Sequence, residues 1–279
     1  MTGLALAIAV KGEWQPDQLL RNLRIAGADA STEIHIACDP KHAPATAPDG
    51  LNVHTEANAS LFELWGLAIA QSRSDWVAIL HADALPAPGW FTAMHEAIAR
   101  DPRPDGYMGP VEPRFPPSDP RTTAYLTEYV QFHRPLDPRL NEVPGNNLVL
   151  PRARLKGSRD FSKTRLLQQG LSPQAVEAAV VLYSRQFRLG EYCGRRFRHG
   201  RAYAAARIPR LSILLAVPLT AALPLVRTAR IIRQGWRHKP LRLASLRWLP
   251  EILVAETCWS AGELTGYVSR SGGDSSALD

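Results

Sequence analysis

Cysteine is nearly missing from this 279-residue chain: Cys38, Cys193 and Cys258 are scattered, odd in number and never in a CxxC pair. Such usage excludes a disulfide framework and a cysteine-built zinc site, and it suits a reducing cytosol. No long low-complexity run is present, and no uninterrupted apolar stretch reaches the roughly 20 residues that a bilayer-spanning helix needs. The opening segment Met1–Val10 lacks a positively charged lead and meets Lys11 at once, so it reads as a first strand and not as a signal peptide. Acid is missing over a long stretch: Tyr192–Pro250 holds 13 Lys and Arg and no Asp or Glu. Residues 1–100 have the opposite balance, 6 basic against 11 acidic, within an overall charge of +7. That asymmetry suggests a soluble catalytic part and a separate part that meets an anionic surface. The basic residues flank apolar segments and not aromatic stacking platforms, which favours a membrane over nucleic acid as that surface.

What is present is ample material for a core. Hydrophobic residues make up 45% of the chain, enough for one large domain with an appendage. Leu4–Val10 reads as a strand, Pro16–Ala26 as a helix with Leu19, Leu20, Leu23 and Ala26 on one face, and Glu33–Cys38 as a second strand ending in Asp39-Pro40. Leu51–His54 is a weaker strand. Ser60-Leu61-Phe62-Glu63 is a capping-box pattern, and Leu61, Leu64, Trp65, Ala68 and Ile69 continue from it as a buried helical stripe. This rhythm predicts a doubly wound, mostly parallel α/β sheet with helices on both faces.

The stretch Ser74–Trp90, SDWVAILHADALPAPGW, organises the rest. Trp76–Leu80 is a short apolar run suited to a buried strand, and it stops at His81-Ala82-Asp83. Pro86–Trp90 turns the chain into a helix over Phe91–Arg100, with Pro88 near its first turn. Ligands of open α/β sheets sit outside the carboxyl ends of the strands, so His81 and Asp83 face the expected crevice. A carboxylate there suits a hard divalent cation bridging a diphosphate, and an imidazole beside it shifts the preference from Mg²⁺ toward Mn²⁺. Asp39 can accept hydrogen bonds from a nucleobase; before a proline it is equally an ordinary turn-former.

Further on, Tyr107–Val111 reads as a strand, Glu112–Arg121 as a proline-rich loop, and Thr122–His133 as a helix. Val143–Leu150 reads as a strand broken by Pro144-Gly145-Asn146-Asn147, and residues 156–184 hold two weak helical patterns. Glu191–Ala206 is a basic helix, its arginines read mostly as a solvated or headgroup-facing side. Leu211–Val226 is a 16-residue apolar stretch interrupted by Pro218 and Pro224, more suited to lying in or dipping into one leaflet than to spanning. Trp236 and Trp248, among the basic residues that follow, suit the headgroup level, and SRSGGDSSALD reads as a disordered tail.

The segment ELWGLAIAQSRSDWVAILHADALPAPGW resembles the family 2 glycosyltransferases of the GT-A fold, in which a strand ends in a DxD-type motif before a P-x-P-G-W-like turn. The resemblance continues through Gly109-Pro110-Val111, through Pro144–Leu148 with Arg152, through Phe187–Arg207, and through the W-x-x-GE-x-x-GY block Trp259–Tyr267. It implies a GT-A catalytic domain over 1–190, a helical membrane-association region over 191–268 and a tail over 269–279. It also implies inverting transfer of a sugar from a UDP- or GDP-sugar to a lipid-linked or saccharide acceptor, on the cytoplasmic face of the inner membrane. In that reading Val10, Asp39 and Ala82 bind the nucleotide, His81 and Asp83 hold Mn²⁺ or Mg²⁺, and Asn146, Asn147 and Trp90 meet the acceptor. His81 stands where the family has an Asp. No G-F/W-x-E or E-D base motif follows the acceptor segment, which leaves Asp160 as the candidate base (alternatively a helix cap) and Glu112 in reserve. The alternative class is a catalytically degenerate nucleotide-sugar-binding or scaffold protein.

Overall fold

The computed structural model describes residues 3–82, 84–101, 105–140, 142–155, 170–185, 187–205 and 213–269. They form a mixed α/β protein made of two compact units, Met1–Arg114 with Phe132–Ser184, and Phe115–Gln131 with Arg185–Asp279.

The first unit opens with β1 (Leu4–Val10), α1 (Pro16–Ile25), β2 (Ile34–Cys38), β3 (Asn52–Thr55), α2 (Leu61–Gln71) and β4 (Trp76–His81). It continues with β5 (Ala84–Pro86), α3 (Trp90–Arg100), β6 (Tyr107–Met108), β7 (Val111–Pro113), β8 (Leu148–Pro151), β9 (Gln174–Ala175) and β10 (Val181–Tyr183). The central sheet runs β3-β2-β1-β4-β8-β6-β9, and a small second sheet runs β5-β10-β7. The β3-β2-β1-β4 half is parallel throughout, while β8 is antiparallel to both β4 and β6. In β1 the alternation LALAIAV sends Leu4, Leu6, Ile8 and Val10 to a face covered by Leu19 and Leu23 of α1 and by Phe91 and Met94 of α3. Ala7 and Ala9 face the other way, where Leu64, Trp65 and Ile69 of α2 supply the bulk that alanine lacks. Two apolar layers of unequal side-chain size thus enclose one sheet, as a period of two requires of a strand buried on both faces.

Local chemistry sets several ends. Ser60 Oγ accepts from the Glu63 amide at 3.3 Å and Glu63 Oε2 accepts from the Ser60 amide at 2.7 Å, closing the capping box. Glu33, just before β2, accepts from Ser74 Oγ (2.7 Å) and from the amides of Arg73 (2.9 Å) and Ser74 (3.0 Å). It also meets His35 Nε2 at 2.8 Å, and His35 Nδ1 lies 3.0 Å from His54 Nε2 on the edge strand β3. Burial raises the Glu33 pKa, but the hydrogen bonds from His35, Ser74 and the two amides outweigh it and hold the pKa down at about 2.

Four expectations change. Tyr107–Val111 is not one strand: Gly109-Pro110 splits it, so β6 joins the central sheet and β7 the small one. A Cβ on Gly109 would overlap the Ala179 carbonyl, and Pro110 has no N–H to give a ladder. The strand expected at Val143–Leu150 begins only at Leu148. Gln174–Ala175 and Val181–Tyr183 pair as strands where a helical pattern was expected, while 156–169 lie outside the described residues. Finally, α3 starts at Trp90 behind Gly89, whose φ of 85° is open to glycine, so Pro88 precedes the helix.

The second unit is helical: α4 (Thr122–Tyr129), α5 (Leu189–Ala205), α6 (Ile213–Arg237), α7 (Arg242–Arg247) and α8 (Leu249–Ser269). Helices α5 and α8 approach backbone to backbone, in parallel. A Cβ on Gly262 would overlap the Phe197 carbonyl, one on Gly266 the Arg201 carbonyl, and one on Gly200 the Trp259 carbonyl. The GE-x-x-GY block is therefore a close-packing seam. Around it runs a buried charge network. Arg196 pairs with Glu256, and Arg227 lies 3.7 Å from Glu256 and 3.3 Å from Glu263. Trp259 donates to Glu263 at 3.1 Å, and both guanidinium groups lie over its ring at 4.3 and 4.7 Å. Arg195 lies 4.0 Å from Glu128 of α4. Arg195 and Arg196 are thus buried against acids and do not form a solvated side of the helix. The acids that match them lie outside Tyr192–Pro250, so a count within that window overstated its unbalanced charge. The prolines at 218 and 224 do not break α6, which runs through both. Among the described residues no helix is long and apolar enough to cross a membrane.

Candidate functional site

Three parallel strands deliver three of the expected residues to one edge. Val10 pairs with Cys38 across β1 and β2, and Ala9 pairs with His81 across β1 and β4. Val10, the Cys38-Asp39 end of β2 and His81 are therefore neighbours at the carboxyl end of the sheet, where a doubly wound fold leaves its crevice. The surrounding loops are tied down. Trp14, after β1, donates its indole N–H to the His42 carbonyl at 2.9 Å. Asp39 accepts from the Lys41 amide at 3.1 Å and from the Asn58 amide at 3.3 Å, with Lys41 Nζ at 3.8 Å. These bonds, the Lys41 amide foremost, keep the Asp39 carboxylate below its ordinary pKa despite an opposing desolvation. Asp39 is thus both the turn-former and a fixed anion at the crevice, with lone pairs left to accept from a ligand. Asn58, with φ of 57°, turns its amide toward Asp39. Sequence reading passed over it, although an Asn in a loop is a signal for that conformation.

His81 ends β4 half-buried, with its ring edge-on to Trp65 at 6.5 Å. Trp65 donates its indole N–H to the Leu80 carbonyl at 2.6 Å and so fixes the end of the strand. Ala82 follows, also half-buried, and Asp83 lies outside the described residues. Among the described residues no group of three or more His, Cys, Asp and Glu side chains is placed to hold a metal ion. Imidazole nitrogen at a strand end, two residues from a carboxylate, is a donor set that fits Mn²⁺ better than Mg²⁺.

The expected acceptor residues have different roles. Trp90 and Asn147 are both 0% exposed. Trp90 donates to Asn147 Oδ1 at 3.0 Å, while Asn147 Nδ2 donates to the carbonyls of Pro110 and Ala179, each at 2.8 Å. Every polar atom of the pair is spent, so neither meets an acceptor in this arrangement. They form an internal staple joining the start of α3, the turn into β7 and the loop before β10. Beside them Asn146 is buried, and its Oδ1 has no hydrogen-bond partner among the described residues. Glu112 accepts from Arg134 through both oxygens, at 2.5 and 2.9 Å. A proton abstracted by Glu112 would have to displace that bidentate pair. Asp160 lies outside the described residues.

No family model and no curated protein matches this sequence. Solved structures do. The mannosyltransferase PcManGT from Pyrobaculum calidifontis, in complex with GDP-Man and Mn²⁺, is similar with a TM-score of 0.57 and 14% identity, covering 94% of this chain and 86% of that one. TarS 1-349 of S. aureus is similar with a TM-score of 0.46 and 11% identity, over 96% and 90% of the two chains. The first likeness shows that this chain has a fold used by glycosyltransferases.

Proposed function

We propose that this protein is an inverting glycosyltransferase that moves a sugar from a nucleotide-diphosphate donor to a hydroxyl of a lipid-linked or polysaccharide acceptor. The observation that carries the reading is the meeting of Val10, Asp39 and His81 at one sheet edge, in a fold shared with a transferase solved with GDP-Man and Mn²⁺. In this reading Asp39 accepts from the nucleobase, and Val10 and Ala82 line the nucleotide. His81 and Asp83 would hold a divalent cation, which supplies positive charge for the diphosphate. Asp160 takes the proton from the acceptor hydroxyl as the hydroxyl oxygen attacks the anomeric carbon and the bond from that carbon to the departing nucleotide diphosphate breaks, with Glu112 in reserve. In this reading Asn146, whose buried Oδ1 has no partner among the described residues, is assigned to the acceptor side. Residues 191–268 hold the protein to the cytoplasmic face of the cell membrane through their apolar segment and basic residues.

A thermal-shift series with UDP and GDP, each with and without Mn²⁺, tests the donor site. The parent should be stabilised by one nucleotide only when Mn²⁺ is present, and Asp83→Ala should lose that response while melting alone at the parent's temperature. His81→Asp should keep it and move the preference toward Mg²⁺. A response of Asp83→Ala equal to the parent's would remove the metal site from this place. The engagement of Glu112 with Arg134, and a histidine in place of a carboxylate, favour a second reading as a nucleotide-sugar binder without catalysis. Mn²⁺-dependent hydrolysis of the donor separates the two.

A further inference from the structure

Helices α6 and α8 leave an apolar groove between them, about 770 Å³ in volume, that the described side chains do not fill. Leu225, Ile232 and Trp236 of α6 line it together with Leu249 and Leu253 of α8. Leu225 is 67% exposed and Trp236 48%. The lining is polarised along its length. Arg233 and Arg237 lie toward one end, and Leu225 marks the other, with Val226 beside it also exposed. At 1.5 Å per residue the twelve steps from Leu225 to Arg237 span about 18 Å, close to the roughly 15 Å hydrocarbon depth of one leaflet. The neighbouring helix α7 repeats the pattern, with Leu243 and Leu246 exposed between Arg242 and Arg247. From Arg227 to Pro250 there is no acid. An exposed apolar groove with a charged rim suits an interaction partner, and its charged end selects an anionic one.

We infer that this groove takes one acyl chain of an anionic phospholipid, its phosphate on Arg233 and Arg237, with the Leu225 end of the groove deeper in the leaflet than the Arg237 end. The inference rests on the membrane reading above and deepens it, by naming the seat and which end lies deeper. A long, mostly apolar trough with cations at one end has the polarity of a lipid: phosphate recognised by guanidinium, chain by leucine and isoleucine. A second copy of the chain offers no comparable match, because it would bring the same basic residues to the contact and the groove lining holds no acid to pair with them.

The test uses the full chain, phosphatidylcholine vesicles with and without phosphatidylglycerol, and phosphatidylglycerol brominated either near the headgroup or near the chain end. Trp236 fluorescence, read as the parent minus Trp236→Phe, should be quenched more by the shallow bromines. In the Trp236→Phe background, Leu225→Trp should be quenched more by the deep ones. Leu225→Asp should weaken partitioning at least tenfold. Arg233→Ala with Arg237→Ala should abolish the preference for phosphatidylglycerol and leave the weak binding to phosphatidylcholine. Each variant should keep the parent's response to nucleotide, which establishes folding. Vesicle binding with no depth difference would overturn the groove assignment and leave the membrane reading standing. Absence of vesicle binding by the parent would overturn both. A parent dimer that Leu225→Asp converts to monomer would give the groove to a second copy and overturn the inference.

Discussion

Glu33 is where a single side chain reports most directly on stability. Its folded pKa of about 2, against 4.5 for an ordinary glutamate, means that it contributes stability in full above pH 4.5 and loses it as pH falls toward 2. At 1.36 kcal/mol for each pH unit between those values, the contribution is on the order of 3 kcal/mol. Glu33→Gln should therefore lower the denaturation free energy by about that much at pH 7, and the gap should close near pH 2. A constant gap from pH 7 to pH 2 would show that the hydrogen bonds and not the charge carry the effect. His54 has the opposite chemistry but the same sense. Burial, helped by His35, lowers its pKa, so its contribution is present above pH 6.5 and fades below it. For Asp160 the expectation is kinetic: Asp160→Asn should leave nucleotide binding intact and reduce sugar transfer by about 10²–10⁴, and equal turnover would move the role to Glu112. At this scale the sequence exposed the polar residues at strand ends, since Asp39 and His81 stop apolar runs. It could not expose the Trp90–Asn147 staple, whose partners lie 57 residues apart and carry no periodic signal; a tryptophan and an asparagine near a crevice look like ligand contacts until their polar atoms are counted.

Among the elements, the α5–α8 seam makes a prediction of opposite signs at two helical glycines. Gly262→Ala forces a methyl into the Phe197 carbonyl, a backbone atom that cannot swing away, and overpacking of this kind costs about 1–3 kcal/mol. Gly190, on α5, has open space where its Cβ would stand, so Gly190→Ala should be neutral or stabilising by up to about 1 kcal/mol. Chemical denaturation of the two variants side by side checks this, and equal effects would refute a tight seam. The regular elements were legible where one period dominated: β1, α2 with its capping box, and β4 lie within a residue or so of the expected bounds. Two- and three-residue strands such as β9 and β10 were not, because pairing partners distant in sequence decide them. The two prolines interrupt the apolar stretch Leu211–Val226 in sequence, and each removes one helical hydrogen bond, yet α6 runs through both.

For the whole molecule the important feature is the excursion of Phe115–Gln131 out of the first unit. Tyr125 and Leu126 of α4 are buried in the second unit, Thr127 bonds the Tyr192 hydroxyl, and Trp248 donates to the Pro117 carbonyl at 2.9 Å. A chain cut after Ser184 would keep this segment and lose the helices of its own unit. Such a truncation should therefore bind a hydrophobic dye and aggregate. Replacing Phe115–Gln131 as well by a Gly/Ser linker of equal length should restore a monomer that answers to nucleotide. A soluble, dye-silent cut chain would show that the excursion is dispensable. The same feature bears on how the protein is made. Helix α4 leaves the ribosome more than a hundred residues before α8 begins, which at ~5–20 residues per second leaves its apolar face waiting on the order of ten seconds. Over that interval the nascent chain presents Tyr125 and Leu126 to whatever binds unfinished polypeptides, and a translational pause between Ser184 and Leu249 would lengthen the exposure after the strands of the first unit have all been made.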